Sequence, residues 1–547
     1  MAMRNNKRPG ISTLMEHSKP RAKKTSPCQP GLFFNKQFLQ WILCLVSFIF
    51  IFILHTPPLD SSDVWWHLNT GRWIWANGGM PADDPFLFSS VSPLGEKASL
   101  ILRGYPLSQL LFFGFYNLAG AYALVALQGL LLTLFYGLLW NRLRQLKLHP
   151  LLASAIVGLL PILFFRLVEL RPQWFSFIGA LLVMQLIEYI LANERKGKPL
   201  KKYVLLLLPA TMLLWANLHP GYVIGIGLLF VYLLSEWIAR KRGVAALPDD
   251  AYRRFLTVTI ISALITFLNP AGISAIWISF TGIFDPFSEV IDEYLGPLKF
   301  FDHYGDKYTG YIIVAVAAAP SLALLFKWRE LNTAHLLLLV IFLAAGMLSF
   351  RFSLLMVMVI LVITCVYYAH AINRWLSVAK GIPIILLWCL STGFLANAAL
   401  TNTCLFKSPL DPAIPSAAAD YLVKTRPAGN IYNHFGAGGY LSWRLYPRKI
   451  YIDQRGLSWN THDEYADVME GNRNYLEVFN KRQIGVAFLP LIDLKQSQLV
   501  IDLLHNNEWA IGHYDRFNIV FIRYDINSHL NFLNKKMVEE DVLRRLK

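Results

Sequence analysis

The residues best placed for chemistry lie between His55 and Tyr105, in HTPPLDSSDVWWHLNTGRWIWANGGMPADDPFLFSSVSPLGEKASLILRGY. Asp63 follows the end of an apolar run by nine residues and stands just ahead of Trp65, Trp66 and His67. On a helix, Asp63 and His67 are i and i+4 and share a face. A carboxylate so placed can take a proton from an acceptor hydroxyl, or hold a metal. Asp83 and Asp84 follow a Gly-Gly-Met-Pro turn and precede Pro85. Two carboxylates converging in one pocket, Asp63 and Asp84, would divide the roles of base and binding group. The plainer reading of Asp83 and Asp84 is that they cap a helix or turn. The plainer reading of His67 is that it packs under the tryptophans.

A second set stands at the ends of other apolar runs. Arg166 and Arg171 lie in RLVELRPQW, His219 in NLHPG and Arg351 in SFRFS. A guanidinium matches phosphate oxygens as a fork, so the arginines suit a phosphate or diphosphate. Each alone is equally a snorkelling or topology residue. Counting the runs places all of them on one side of a membrane, together with Glu289, Asp292 and Glu293. Nearer the C-terminus, NHFGAGGYLSWRL puts a Gly-rich turn between a strand and a helix. It lacks the GxGxxG order and no GK[ST] follows, so a tight turn that needs glycine outweighs a phosphate cradle. Asp453 and Arg455, in IYIDQRG, read as a surface or interface site.

These residues are positioned by an apolar chain. Of 547 residues, 55% are hydrophobic and only 16% charged, with mean hydropathy +0.42. Soluble domains carry roughly 25% charged residues, so this is a polytopic membrane protein. The formal charge of +16 gathers in short segments between apolar runs, which is the positive-inside pattern and not a nucleic-acid surface. Cys28, Cys44, Cys365, Cys389 and Cys404 show neither disulfide pairing nor zinc spacing. The N-terminus is too basic for too long, and lacks a small-x-small site, to be a cleavable signal.

Residues 1–37 form a basic, disordered tail. Eleven spans are expected: 38–54, 121–140, 151–165, 175–191, 203–218, 222–238, 255–268, 309–326, 331–348, 352–369 and 382–400. Residues 55–105 and 270–308 are the first and second outer loops. The run 106–118 is too short to span and reads as an interfacial helix. With basic loops inside, the N-terminus is cytoplasmic and the C-terminus outside. A linker at 401–410 leads to an α/β domain at 411–525. Its expected strands are 430–432, 449–452, 486–489 and 519–522, and its expected helices 417–423, 439–445, 475–481 and 497–504. A charged helix closes the chain at 526–547.

The run DVWWHLNTGRWIWANGGMPADDPFLFSS resembles the first outer loop of the GT-C membrane glycosyltransferases. It more closely resembles a bacterial branch, uncharacterised and with a soluble α/β domain often appended, whose loops read D-x-W-W-H-L-x-x-G and P-x-x-D-P-F-S. RPQWFS, WANLHPG, LNPAG, IDEYLGP and SFRFSLL fall where that branch has similar short motifs. Here LILRGYPLSQLLF stands in place of the usual Glu-Trp-Leu, and Tyr294 in place of a commoner Trp.

The resemblance implies a GT-C-like fold and sugar transfer from a polyprenyl-phosphate donor to an extracytoplasmic acceptor. Asp63 would be the catalytic base and Asp84 a second acid. His67, Asp83, Arg171, His219 and Arg351 would bind substrate. No metal ligands are assigned, and a divalent metal is left open as cofactor. The implied location is the bacterial inner membrane, with the C-terminal domain periplasmic and free to meet a protein partner. The rival expectation is a non-catalytic subunit of the same fold that binds lipid or a partner complex.

Overall fold

The computed structural model describes residues 36–90, 92–198, 200–244, 246–281, 292–378, 381–405, 407–491 and 498–546. The N-terminal tail and Glu289 lie outside the described residues. The chain opens with α1 (Lys36–Leu54), an apolar helix. After it come α2 (Asp63–Asn77) and α3 (Glu96–Arg103) of the first outer loop. Next is α4 (Pro106–Gln145), two helices joined across a kink at Ala119 and Gly120. Gly120 has φ 61°, a conformation costly for any residue with a Cβ. The kink therefore falls at the residue that permits it, and it separates the run 106–118 from the longer apolar helix that follows.

The bundle continues with α5 (Pro150–Leu163), α6 (Gln173–Arg195), α7 (Lys202–Leu218), α8 (Tyr222–Lys241) and α9 (Asp249–Leu264). Short helices α10 (Ser274–Thr281) and α11 (Pro297–His303) lie in the segment expected as the second outer loop. Then come α12 (Lys307–Leu325), α13 (Thr333–Leu348), α14 (Ser353–Val378) and α15 (Ile382–Asn402). Among the described residues, eight helices are long and apolar enough to cross a membrane, and Pro150–Leu163, Tyr203–Leu218 and Thr333–Leu348 are shorter apolar helices. At the bundle end away from the first loop, Glu188 accepts a hydrogen bond from Tyr232 Oη at 2.7 Å and pairs with Arg142. His335 Nε2 lies 3.3 Å from the same carboxylate. This buried polar knot ties α4, α6, α8 and α13 together.

The C-terminal region is a small α/β layer. Its helices are α16 (Ser416–Thr425), α17 (Gly438–Leu445), α18 (Trp459–Glu470), α19 (Tyr475–Lys481), α20 (Gln498–His505) and α21 (Lys535–Leu546). Its strands are β1 (Asn430–Asn433), β2 (Ile484–Pro490), β3 (Trp509–Tyr514) and β4 (Asn518–Arg523). The sheet order is β1-β2-β4-β3. β1 and β2 are parallel, and the other two pairings are antiparallel. β2 and β4 are the central strands, buried almost throughout, and they read as continuous apolar runs as such strands do.

The expected strand at 449–452 does not form. Only Ile450 pairs there, bridging to Ile431 on one side and to Leu87 of the first outer loop on the other. Phe88 donates its N–H to Ile450 O at 3.0 Å, and Ile450 donates to Phe86 O at 3.0 Å. Leu59, just ahead of α2, pairs in the same way with the linker: its N–H meets Pro409 O at 2.8 Å, and Asp411 N–H meets Leu59 O at 3.0 Å. The sheet domain and the first outer loop therefore share backbone hydrogen bonds and one apolar core.

Candidate active site

Asp63 is the first residue of α2. Its carboxylate lies in the first turn, where the helix dipole favours negative charge, and Trp66 Nε1 donates to Oδ1 at 3.3 Å. The N-terminus of α2 is held by α17. Trp65 meets Tyr440 edge-on at 4.8 Å, and Arg72 stacks over Trp443 and Tyr446 at 4.4 and 4.2 Å. Gly439 makes this approach possible, because a Cβ there would stand 2.4 Å from Ser62 O. The Gly-rich turn of NHFGAGGYLSWRL thus brings a helix against the loop that ends in Asp63.

Arg171 is the centre of the site. It lies in the turn before α6, with Nε 2.8 Å from Glu169 Oε2 and 3.3 Å from Asp63 Oδ2, and Nη1 donating to Glu293 Oε1 at 2.5 Å. Burial alone would lower its pKa, but Asp63, Glu169 and Glu293 outweigh burial and raise it, so the guanidinium stays charged. The two glutamates respond differently. Burial pushes the Glu169 carboxyl up, and the nearby acids add to this against Arg171. For Glu293, burial also acts upward, but Arg171 and Arg351 together bring the carboxyl below its ordinary value. Arg351 and the hydrogen bond from Arg171 act on Glu293 and not on Glu169, while Asp63, Asp60 and Glu293 push Glu169 up.

Arg351 reaches the same place from the turn between α13 and α14. Its Nη1 donates to Tyr294 Oη at 3.4 Å, a long bond. The turn is seated by Ser349 Oγ donating to Glu293 O at 2.8 Å and by Phe350 N–H donating to Leu295 O at 2.7 Å. These contacts join the Glu293–Leu295 stretch to Ser349 and Phe350. LNPAG has its own role: Asn269 Nδ2 donates to Ala216 O at 2.7 Å and to Gly104 O at 3.2 Å, tying the end of α7 to the loop before α4.

His219 caps α7. Gly221 N–H donates to its Nδ1 at 3.0 Å, and Ser176 Oγ lies 2.7 Å from the same nitrogen while accepting from Trp215 Nε1 at 2.8 Å. This network leaves the ring proton on Nε2. Burial, then Arg351, lowers the His219 pKa to about 3, so the ring is a neutral donor. His67 is buried in an aromatic cage of Trp66, Tyr105 and Phe112, at ring distances of 3.5, 5.1 and 5.9 Å. Burial, His219 and the nearby arginines hold it neutral, and its Nδ1 has no partner among the described residues. Tyr105 lies between the two histidines, 5.7 Å from the His219 ring. Burial pushes its hydroxyl up to about 12. Sequence reasoning missed Tyr105, an uncharged residue at the margin of the loop.

Asp63, His67, Arg171, His219 and Arg351 therefore come together. Asp83 and Asp84 are not part of this group. Asp83 is exposed and accepts from Ser92 Oγ at 2.8 Å. Asp84 accepts from Phe86 N–H at 2.9 Å, a turn typical of Asp, and from Arg455 Nη2 at 3.0 Å. Arg455 Nε also meets both Asp453 oxygens, at 3.0 and 2.7 Å. This triad joins the first loop to the sheet domain and is sealed from solvent. Beside the start of α2 lies a cleft of about 480 Å³, lined by Asp60, Ser62, Trp65, Asp411, Tyr440 and Tyr465 among others.

Three carboxylates around one point would be a donor set for a hard divalent cation, which takes oxygens at roughly 2.0–2.6 Å. Here the point is filled by the Arg171 guanidinium, so these residues do not fit a metal. Among the described residues no other group of acids, histidines or cysteines is arranged to hold one.

No protein-family model matches the sequence, and no curated protein matches it. Solved structures match by fold. The Archaeoglobus fulgidus oligosaccharyltransferase in the apo form is 12% identical, with a TM-score of 0.54 over 84% of this chain and 70% of that one. AglB of the same organism, in complex with an inhibitory peptide and a dolichol-phosphate, is 10% identical, with a TM-score of 0.56 over 89% and 74%. The A. fulgidus enzyme in complex with Zn and sulfate is 11% identical, with a TM-score of 0.52 over 89% and 73%. At such identity the likeness is one of fold. The chain shares the fold of these Archaeoglobus fulgidus oligosaccharyltransferase structures.

Proposed function

We propose that this protein is an inverting membrane glycosyltransferase that moves a sugar from a polyprenyl-phosphate donor to an extracytoplasmic acceptor. The observation that carries the reading is the meeting of Asp63, His219 and Arg351 at one end of a GT-C-fold bundle. Asp63, 3.3 Å from Arg171 Nε, takes the proton of the acceptor hydroxyl. The hydroxyl oxygen attacks the anomeric carbon, and the bond from that carbon to the phosphate oxygen breaks. The electron pair leaves with the polyprenyl phosphate. Arg351, whose only hydrogen bond among the described residues is the long one to Tyr294, receives the phosphate charge, and the His219 Nε2–H adds a neutral donor. Charge stabilisation of this kind acts strongly in a site shielded from water. AglB, of the same fold, was solved with a dolichol-phosphate, which supports a lipid-phosphate donor here.

The cleft beside Ser62 and Trp65 offers the acceptor a path to Asp63. His67 supports Trp66 and Tyr105 beneath the site, and Asp83 and Asp84 act outside the reacting group. By the distribution of Lys and Arg, the site and the sheet domain face away from the cytoplasm, and the resemblance of the first loop to a bacterial branch supports a periplasmic setting. One observation favours the other reading, a non-catalytic subunit: Arg171 already engages Asp63.

The two are separated by assaying sugar transfer in liposomes. Asp63→Asn keeps shape and hydrogen bonding, and should lose about 10²- to 10⁴-fold in turnover with unchanged melting. Wild-type turnover in that variant would remove Asp63 as base. Failure of the wild type to bind any lipid-phosphate sugar would leave the non-catalytic subunit.

A further inference from the structure

We infer that Arg171 is a built-in cation, occupying the place a divalent metal would take between Asp63, Glu169 and Glu293. The three carboxylates come from separate segments: the start of α2, the turn before α6, and the 3-10 turn at Asp292–Tyr294. Each sends one oxygen to the same guanidinium, at 3.3, 2.8 and 2.5 Å. Without a cation at that point, three like charges would meet in a partly buried space, and at least one would have to take up a proton. A metal ion is one answer to that repulsion. A guanidinium is another, and it differs in three ways.

It cannot be removed by a chelator. It does not lose its charge at any working pH. Being planar, with Nε close to Asp63 and Glu169 and Nη1 donating to Glu293, it holds the three segments in one relative orientation and does not merely neutralise them. There is no room for both. A divalent ion within bonding reach of these oxygens would lie against a charged guanidinium, and like charges at that range repel strongly in a shielded site. Arg351, the neighbouring cation, adds to the exclusion, because it acts on the same Glu293. Arg171 is therefore a positioning residue for Asp63, and phosphate contact falls to Arg351.

The experiment uses the full chain in detergent, with Mn²⁺ as the probe and electron paramagnetic resonance as the readout. No sugar transfer is measured, so the result stands apart from the glycosyltransferase reading. Wild type should hold no tightly bound Mn²⁺, and its melting should not change with EDTA. Arg171→Ala removes the cation and leaves the acids, and should bind one Mn²⁺ per chain. Adding Glu293→Gln to that variant should weaken the binding at least ten-fold. The inference is overturned if wild type binds one Mn²⁺ that is lost in Glu293→Gln, or if folded Arg171→Ala binds none. Should Arg171→Ala not fold, Mn²⁺ titration of wild type and Glu293→Gln decides alone, since equal and negligible binding is the expected result and Glu293-dependent binding refutes it.

Discussion

Gly439→Ala tests whether the sheet domain sets the position of Asp63. Gly439 lies in α17 with helical geometry, so alanine suits its backbone and gains up to about 1 kcal/mol of helix propensity. The new methyl group meets Ser62 O at 2.4 Å, whereas ordinary contact begins at 3.4 Å. The obstacle is backbone, not a side chain that can rotate away, so α17 and the start of α2 must separate by about 1 Å. Overpacking of this kind costs about 1–3 kcal/mol, and the gain in propensity offsets part of it. Melting should therefore fall only modestly. Turnover is another matter, because a misplacement near 1 Å in a reacting constellation costs about 10²-fold. The expected signature is a large fall in kcat with little change in stability or in donor KM. Gly114→Ala is the control: it lies in α4 with nothing within 4 Å of the added methyl group, and it should behave as wild type. Sugar transfer in liposomes with matched protein levels, together with melting curves, gives both readings. Wild-type turnover in Gly439→Ala would refute the reasoning, for then the domain contact would not govern where Asp63 stands.

Three further outcomes are expected. Arg351→Gln should raise the donor KM about 10- to 100-fold, the worth of a charged hydrogen bond, as read by competition with free polyprenyl phosphate. Glu293 contributes stability above its ordinary pKa of 4.5, and this is lost as pH falls through its lowered folded value. Glu293→Gln should therefore flatten the acid limb of melting temperature against pH, below about pH 4.5. Arg455→Met strands Asp84 and Asp453 without a counter-ion and should cost about 3–5 kcal/mol, seen as easier proteolysis within the linker at 401–410.

Much of the architecture could be read from the chain because it rests on local signals. Apolar runs of span length became helices, and the break before Ala121 was visible as the Ala-Gly pair at 119–120. β1, β2 and β4 coincide with compact runs of β-branched and aromatic residues. β3 was missed because WAIGHY carries a glycine and a histidine and forms the edge of the sheet. α18 was missed because its apolar positions are few among polar ones. The segment 449–452 looked like a strand because Ile450, Tyr451 and Ile452 favour extension, yet its only backbone partners are single bridges on either side. In the site, sequence gives the sign of a charge and the end of the helix it stands on. It does not give partners. Arg171 and Arg351 look alike in the sequence, but one is surrounded by three carboxylates and the other faces a tyrosine. Asp63 and Asp84 look alike too, and only contacts far along the chain, to Arg171 and Arg455, separate them.

Those contacts make two ionic clusters in one chain, and the difference between them bears on function. The Asp84–Arg455–Asp453 triad has no exposed side-chain surface. A closed cluster of that kind contributes little net stability, because desolvation consumes most of the attraction, but it accepts only one alignment of the first loop on the sheet domain. Aromatic and backbone contacts around Trp65, Tyr440 and Ile450 already supply adhesion. Docking thus has what it needs without the second cluster. Asp63, Glu169, Arg171 and Glu293 keep 26, 26, 23 and 18% of their side-chain surface open. A cluster that keeps access to solvent and is not needed for docking suits the reacting centre proposed above.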